Sequence, residues 1–91
     1  MEIKKVMVIG AGQMGSGIAQ VCAQAGFDVL LNDIKEESFA KGLATITKNL
    51  SRNVEKNRMT EDEKNEALRR ITKSLDLKDA DEVDIIIEVR L

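Results

Sequence analysis

Val6-Met7-Val8-Ile9-Gly10-Ala11-Gly12-Gln13-Met14-Gly15 reads as a buried strand, a tight glycine turn and the start of a helix. The run before the turn is rich in β-branched residues and apolar on both faces, the pattern of a central parallel strand covered by helices on each side. The glycines follow the spacing G-x-G-x-x-G, and each has its own reason to lack a side chain. Gly10 lets the backbone turn sharply as it leaves the strand. Gly12 leaves room for a diphosphate to reach the main chain, and Gly15 lets the new helix pack close to the strand. The first N–H groups of that helix have no intrahelical acceptor and carry the positive end of its dipole, which suits an anion.

The glycine pattern alone is weak, because such turns arise without any ligand. Its context strengthens it. Ile18, Ala19, Val21, Cys22 and Ala25 fall at helical spacing and predict a helix over 14–25, closed by Gly26 in a left-handed cap. Gly17, inside that helix, is either a second close contact with the sheet or a chance occurrence that costs about 1 kcal/mol of helix propensity. Val29, Leu30 and Leu31 form the core of a second strand over 27–32, with Asp33 just after it. Strand, helix and strand in so short a span require a parallel, right-handed crossover. The glycine turn and Asp33 therefore share the carboxyl edge of the sheet, where open α/β folds bind ligands. Asp33 stands where a carboxylate accepts hydrogen bonds from an adenosine ribose, and the set reads as a dinucleotide site.

Beyond Asp33 the pattern changes. Phe39, Leu43, Ile46, Leu50 and Val54 form one apolar stripe and predict a long helix over 36–58. Thr60-Glu61-Asp62-Glu63 is a capping box that opens a shorter helix, with Ala67, Leu68 and Ile71 facing inward. The two helices make a hairpin, more than a nucleotide-binding crossover needs. Residues 41–73 hold nine Lys/Arg and five acids, a net +4 within a chain of net charge −2. That charge is either a solvated face laced with i,i+4 pairs or a landing surface for an anionic ligand. Residues 71–75 read as a short third strand, 78–82 as an acidic turn or one turn of helix, and 84–89 as a further strand.

Ninety-one residues suffice for one small domain but are short for a complete dinucleotide-binding domain. Hydrophobic residues at 43% and charged residues at 33% give a globular balance rather than a disordered one. The charge balance and the lack of aromatics among the cations argue against nucleic acid. No apolar run reaches membrane-spanning length and no secretory segment is visible. The single cysteine, Cys22, reads as a structural thiol, and a reducing, cytoplasmic setting fits it. Histidine is absent, and no metal site is expected.

Lys4-Lys5-Val6-Met7-Val8-Ile9-Gly10-Ala11-Gly12-Gln13-Met14-Gly15-Ser16-Gly17-Ile18-Ala19-Gln20 resembles the amino-terminal signature of the 3-hydroxyacyl-CoA dehydrogenases, most of all the bacterial 3-hydroxybutyryl-CoA dehydrogenases. Asp33, the helical hairpin, Met59-Thr60-Glu61-Asp62-Glu63-Lys64 and Asp84-Ile85-Ile86-Ile87-Glu88 continue the likeness, which runs from Lys4 to about Glu88. It implies an α/β fold: a Rossmann-type parallel sheet, incomplete at about four strands, with a helical hairpin at about 36–71 inserted after the second strand.

The family is an oxidoreductase of fatty acid and butanoate metabolism that moves hydride between NAD and the 3-hydroxyl of an acyl-CoA. By resemblance, Gly10, Gly12, Gln13, Met14, Gly15 and Asp33 bind NAD, while Lys56 and Asn49 fall on positions that contact the CoA substrate. Asn49 stands where relatives can carry serine. The catalytic histidine and its glutamate lie beyond Leu91, so residues 1–91 would be the N-terminal part of the NAD-binding domain. The nicotinamide half and the C-terminal helical domain would then lie outside the chain, and the chain alone would be inactive. Val89-Arg90-Leu91 departs from the family pattern, which implies a fragment or an altered end. The intact enzyme would be a homo-oligomer. Two other readings stay open: a non-catalytic NAD(H)-sensing module, and a different NAD-dependent dehydrogenase on the same fold.

Overall fold

The structure, a computed structural model, describes residues 3–89. Arg90 and Leu91, part of the departure from the family pattern, lie outside the described residues. In chain order come β1 (Lys5–Ile9), α1 (Gln13–Gln24), β2 (Asp28–Asn32), α2 (Glu36–Glu55), α3 (Glu61–Arg69) and β3 (Ile71–Ser74). A 3-10 segment over Leu77–Glu82 and β4 (Ile85–Glu88) complete the described chain. The four strands form one parallel sheet in the order β3-β2-β1-β4, an α/β arrangement with β1 and β2 at its centre.

The register explains the core. Val6 lies beside Val29 and Ile85, and Val29 lies beside Ile71, so one face of the sheet presents an aliphatic row. Ala19 and Ala23 of α1, Ile46 and Leu50 of α2 and Ala67 of α3 pack against that face. Burial of each Ile or Leu contributes about 1.5–3 kcal/mol. The steps β1 to β2 and β2 to β3 run in the same direction, so right-handed crossovers set all three helices on this one face. The expected helical layer on each side of β1 is therefore corrected. Met7 and Leu30 face the other way and are buried, and the return step from β3 to β4 carries only the 3-10 segment; Ile86, in their row, is half exposed.

The helix ends follow local chemistry. Gly26 takes φ +101°, the Gly26 N–H donates to the Ala23 carbonyl and the Phe27 N–H to the Cys22 carbonyl, which closes α1 in a Schellman turn. Asn57 closes α2 in the same way at φ 59°, with its N–H on the Val54 carbonyl and that of Arg58 on Asn53. The capping box of α3 is complete: the Glu63 N–H donates to Thr60 Oγ1 at 3.1 Å and the Thr60 N–H to Glu63 Oε1 at 2.9 Å. Asp84 ties β4 to β1, accepting the N–H groups of Lys4 at 2.9 Å and Lys5 at 3.0 Å. Those two amides hold its carboxyl below the usual range.

Candidate functional site

Gly10, Gly12, Gln13, Met14, Gly15 and Asp33 meet in one cleft of about 640 Å³ at the carboxyl edge of the sheet, with Val89 lining it beside Gly10. Three of these positions show why the turn needs glycine. Gly10 adopts φ +104°, a left-handed conformation that strains any residue with a Cβ. A Cβ on Gly15 would run into the Gly10 carbonyl, so this glycine sets the distance between α1 and β1. A Cβ on Gly12 would meet nothing within 4 Å. Among the described residues, the space beside Gly12 is thus open on the side of the cleft.

Polar groups in the cleft divide into held and free. The Gly10 N–H donates to the Asn32 carbonyl at 2.8 Å, and the Ala11 N–H donates to Asp33 Oδ2 at 2.9 Å. Asp33 Oδ1 accepts the Lys35 N–H at 2.9 Å. Asp33 therefore braces the glycine turn from β2, and each oxygen keeps a further lone pair for a ribose hydroxyl. Gly12 is the N-cap of α1 and supplies no side-chain cap. The N–H groups of Gly12, Gln13 and Met14 have no partner among the described residues. Three unpaired amides at a helix N-terminus, open to a cleft with a carboxylate across it, fit an anionic diphosphate joined to a ribose. NAD fits this chemistry.

Two residues that the resemblance pairs with CoA stand apart from the cleft. Asn49 turns towards α1, where its Nδ2 donates to Gln20 Oε1 at 3.3 Å. Lys56 is exposed at the C-cap of α2, twenty residues after Glu36 and about 30 Å along the helix axis. Gly17 is exposed with open space above it, so the suggested second close contact is not there. The close contact lies instead at Gly42 of α2, where a Cβ would strike Ser16 Oγ and the Ala11 carbonyl. Sequence reading missed Gly42, Ser16 and Val89. A glycine in the middle of an otherwise regular amphipathic helix was the one visible signal for the first of these.

Cys22 is half-buried against the core, and burial pushes its thiol up, as suits a structural thiol. A larger groove of about 700 Å³ lies along α2 near β3. Phe39, Ala40, Leu43 and Ala44 form its apolar wall, and Lys73 there is engaged by Glu36 at 2.7 Å, which holds the Glu36 carboxyl below its usual range. Among the described residues no cluster of His, Cys, Asp or Glu could hold a metal ion, and no helix is long and apolar enough to cross a membrane.

Residues 5–90 match the family described as 3-hydroxyacyl-CoA dehydrogenase, NAD binding domain. A 3-hydroxybutyryl-CoA dehydrogenase of Bradyrhizobium diazoefficiens is 54% identical over 86 residues, 94% of this chain and 29% of the relative. A probable 3-hydroxybutyryl-CoA dehydrogenase of Bacillus subtilis is 49% identical, over 97% of this chain and 31% of its own length. The crystal structure of (S)-3-hydroxybutyryl-CoA dehydrogenase from Ralstonia eutropha superposes with a TM-score of 0.95 at 41% identity, covering 99% of this chain and 32% of that one. The chain thus spans about a third of the length of the relatives it matches. With its four-stranded parallel sheet and its glycine cleft closed by Asp33, the chain belongs to the NAD-binding domain family of the 3-hydroxyacyl-CoA dehydrogenases.

Proposed function

We propose that this chain is the cofactor-holding, N-terminal part of an enzyme that transfers hydride between NAD and the 3-hydroxyl or 3-keto group of an acyl-CoA. The observation that carries this reading is the row of unpartnered N–H groups at Gly12, Gln13 and Met14 facing a cleft with Asp33 on its rim. Bound NAD supplies the hydride acceptor. The chain's own residues hold and orient it: Gly12 and the first turn of α1 take the diphosphate, and Asp33 takes the adenosine ribose while it braces the turn. Residues 1–91 contain no histidine, so the proton transfer at the 3-hydroxyl falls to residues outside them, and the chain alone is inactive. We place the whole enzyme in the cytoplasm as a homo-oligomer. Calorimetric titration of this chain with NADH tests the reading, and absence of binding overturns it.

Asp33 also sets the choice of cofactor. A carboxylate accepts from both free ribose hydroxyls and repels a 2′-phosphate. Asp33→Ala is expected to weaken NADH about tenfold, through lost ribose contacts and a loosened Ala11 amide, and to bring NADH and NADPH close to equal affinity. Equal affinity for the two in the unmodified chain would refute the assignment.

The acyl-CoA half of the proposal rests on the distribution of charge in the hairpin. The cations of α3 and β3 are largely neutralised: Lys64 pairs with Glu61, Arg69 and Arg70 with Glu66, and Lys73 with Glu36. Lys41, Lys48, Arg52 and Lys56 have no ion-pair partner among the described residues. At 3.6 residues per turn these four fall within a sector of about 80° on α2. An unpaired cationic row favours the anionic landing surface over the self-neutralised solvated face, and over a bare NAD(H) sensor that needs no such row. Lys56 is the assigned contact to the CoA phosphates, with Asn49 as a second contact about two turns earlier on α2. Lys56→Ala in the full-length enzyme should raise KM for acyl-CoA several-fold, an exposed contact of about 1 kcal/mol or less that weakens with salt, and leave NADH affinity unchanged. A substrate cut back to its pantetheine arm should lose this dependence. An equal loss on both substrates would assign Lys56 to hairpin structure instead.

A further inference from the structure

We propose that Ser16 is a positioning residue for the cofactor diphosphate: its hydroxyl, backed by Gly42, fixes the peptide between Ala11 and Gly12 so that the Gly12 N–H faces the dinucleotide cleft. The inference rests on the cofactor reading above and adds to it a residue that lines no part of that cleft.

Ser16 Oγ donates to the Ala11 carbonyl at 3.0 Å. Both groups are inside the protein, Ser16 being 1% exposed and Ala11 2%. In a trans peptide the C=O and the following N–H point in opposite directions. An Ala11 carbonyl drawn towards Ser16 therefore turns the Gly12 N–H away from Ser16. The two sides of the turn are distinct on this structure. Ser16, Gly42, Ser38 and Lys41 line a groove on the α2 side, while Gly10, Gly15 and Asp33 line the dinucleotide cleft, and Gly12 borders both. The hydroxyl of Ser16 thus selects the cleft side for the Gly12 amide, which has no partner among the described residues.

Gly42 brings α2 up against this bond. It brings the α2 backbone so close that a Cβ there would strike Ser16 Oγ and lie 2.8 Å from the Ala11 carbonyl oxygen. The hydroxyl is thus packed between the turn and the α2 backbone. Ala11 is also held from the other end, because its N–H donates to Asp33 Oδ2. With the N–H held by Asp33 and the carbonyl by Ser16, the residue between Gly10 and Gly12 cannot rotate. This explains the choice of a small hydroxyl in the first turns of α1 and of glycine in the middle of α2, neither of which the sheet requires.

The test compares Ser16→Ala with the unmodified chain, using ADP-ribose, NADH and adenosine as ligands. Ala leaves the buried Ala11 carbonyl without a donor and frees the peptide to turn. ADP-ribose and NADH carry the diphosphate and should each bind about tenfold more weakly, whereas adenosine, which meets only Asp33 and its surroundings, should change less than about twofold. Nuclear magnetic resonance gives a readout without ligand: the Gly12 amide of the variant should shift and gain mobility while the core amides of β1 and β2 stay in place. Parallel weakening of adenosine and ADP-ribose would show that Ser16 acts through packing and overturn the proposal. An unaltered Gly12 amide would overturn it as well, even where the unmodified chain binds no dinucleotide, a result that would separately sink the cofactor reading.

Discussion

Gly12→Val is expected to abolish NADH binding, a loss of at least about a hundredfold or roughly 2.7 kcal/mol, while the thermal midpoint stays within a few degrees of the unmodified chain. The separation follows from where Gly12 sits. Its backbone is extended, at φ −70° and ψ −169°, a conformation open to any residue, and beyond its chain neighbours no atom of the described residues lies within 4 Å of a Cβ built there. A valine therefore costs the fold little. Its methyl groups would nonetheless project into the space beside the Gly12, Gln13 and Met14 amides, where the diphosphate has to approach. Circular dichroism melts and NADH calorimetry on the same preparation read the two effects together. A variant that binds NADH normally would show that the open space above Gly12 is not the ligand's, and the reading of the cleft would fall with it.

The strand, glycine turn, helix, strand and acid were legible because each is written in a local rule. Apolar runs gave β1 and β2, helical spacing gave α1, and the capping box gave the start of α3 to the residue. Asp33 could be placed because a parallel crossover leaves the chain no other edge on which to put it. What stayed illegible depended on contacts between segments far apart in sequence. Gly17 and Gly42 look alike in the sequence, each a glycine inside a helix. Only the packing of α2 against the first turns of α1 makes the second indispensable and leaves the first idle. The second bond of Asp33, to the Ala11 amide, was hidden for the same reason, since it links residues 22 positions apart. Net charge over residues 41–73 could be counted, yet which cations are free could not, because pairs such as Lys73 with Glu36 join different elements. The apolar inner face of β1 and its apolar outer face looked equivalent. They differ because both early crossovers step the same way and send every helix to one side.

Gly15→Ala should give the opposite result to Gly12→Val, with the fold lost rather than the ligand. Gly15 is buried in the first turn of α1, where the helix approaches β1, and a Cβ there would run into the Gly10 carbonyl oxygen and lie 2.8 Å from its carbon. Both obstacles are backbone, so no side chain can swing away. Gly10 cannot retreat either, because its φ of +104° and the bond from its N–H to the Asn32 carbonyl fix it at the end of β1. The remaining relief is for α1 to move away from the sheet. That would open the packing of α1 against the sheet, in a cluster where Ala19, Ala23, Val8 and Leu31 are fully buried. Strain of this kind belongs to the mechanisms that cost about 3 kcal/mol or more, against a total of about 5–15 kcal/mol for a small domain. At about 4–8 °C per kcal/mol the midpoint should fall by about 12 °C or more. NADH binding, measured well below the new midpoint, should weaken only as far as the folded fraction does. A Gly15→Ala chain that melts within a few degrees of the unmodified one would show that α1 can ride further from β1 than this packing allows, and the role given to the third glycine would have to be withdrawn.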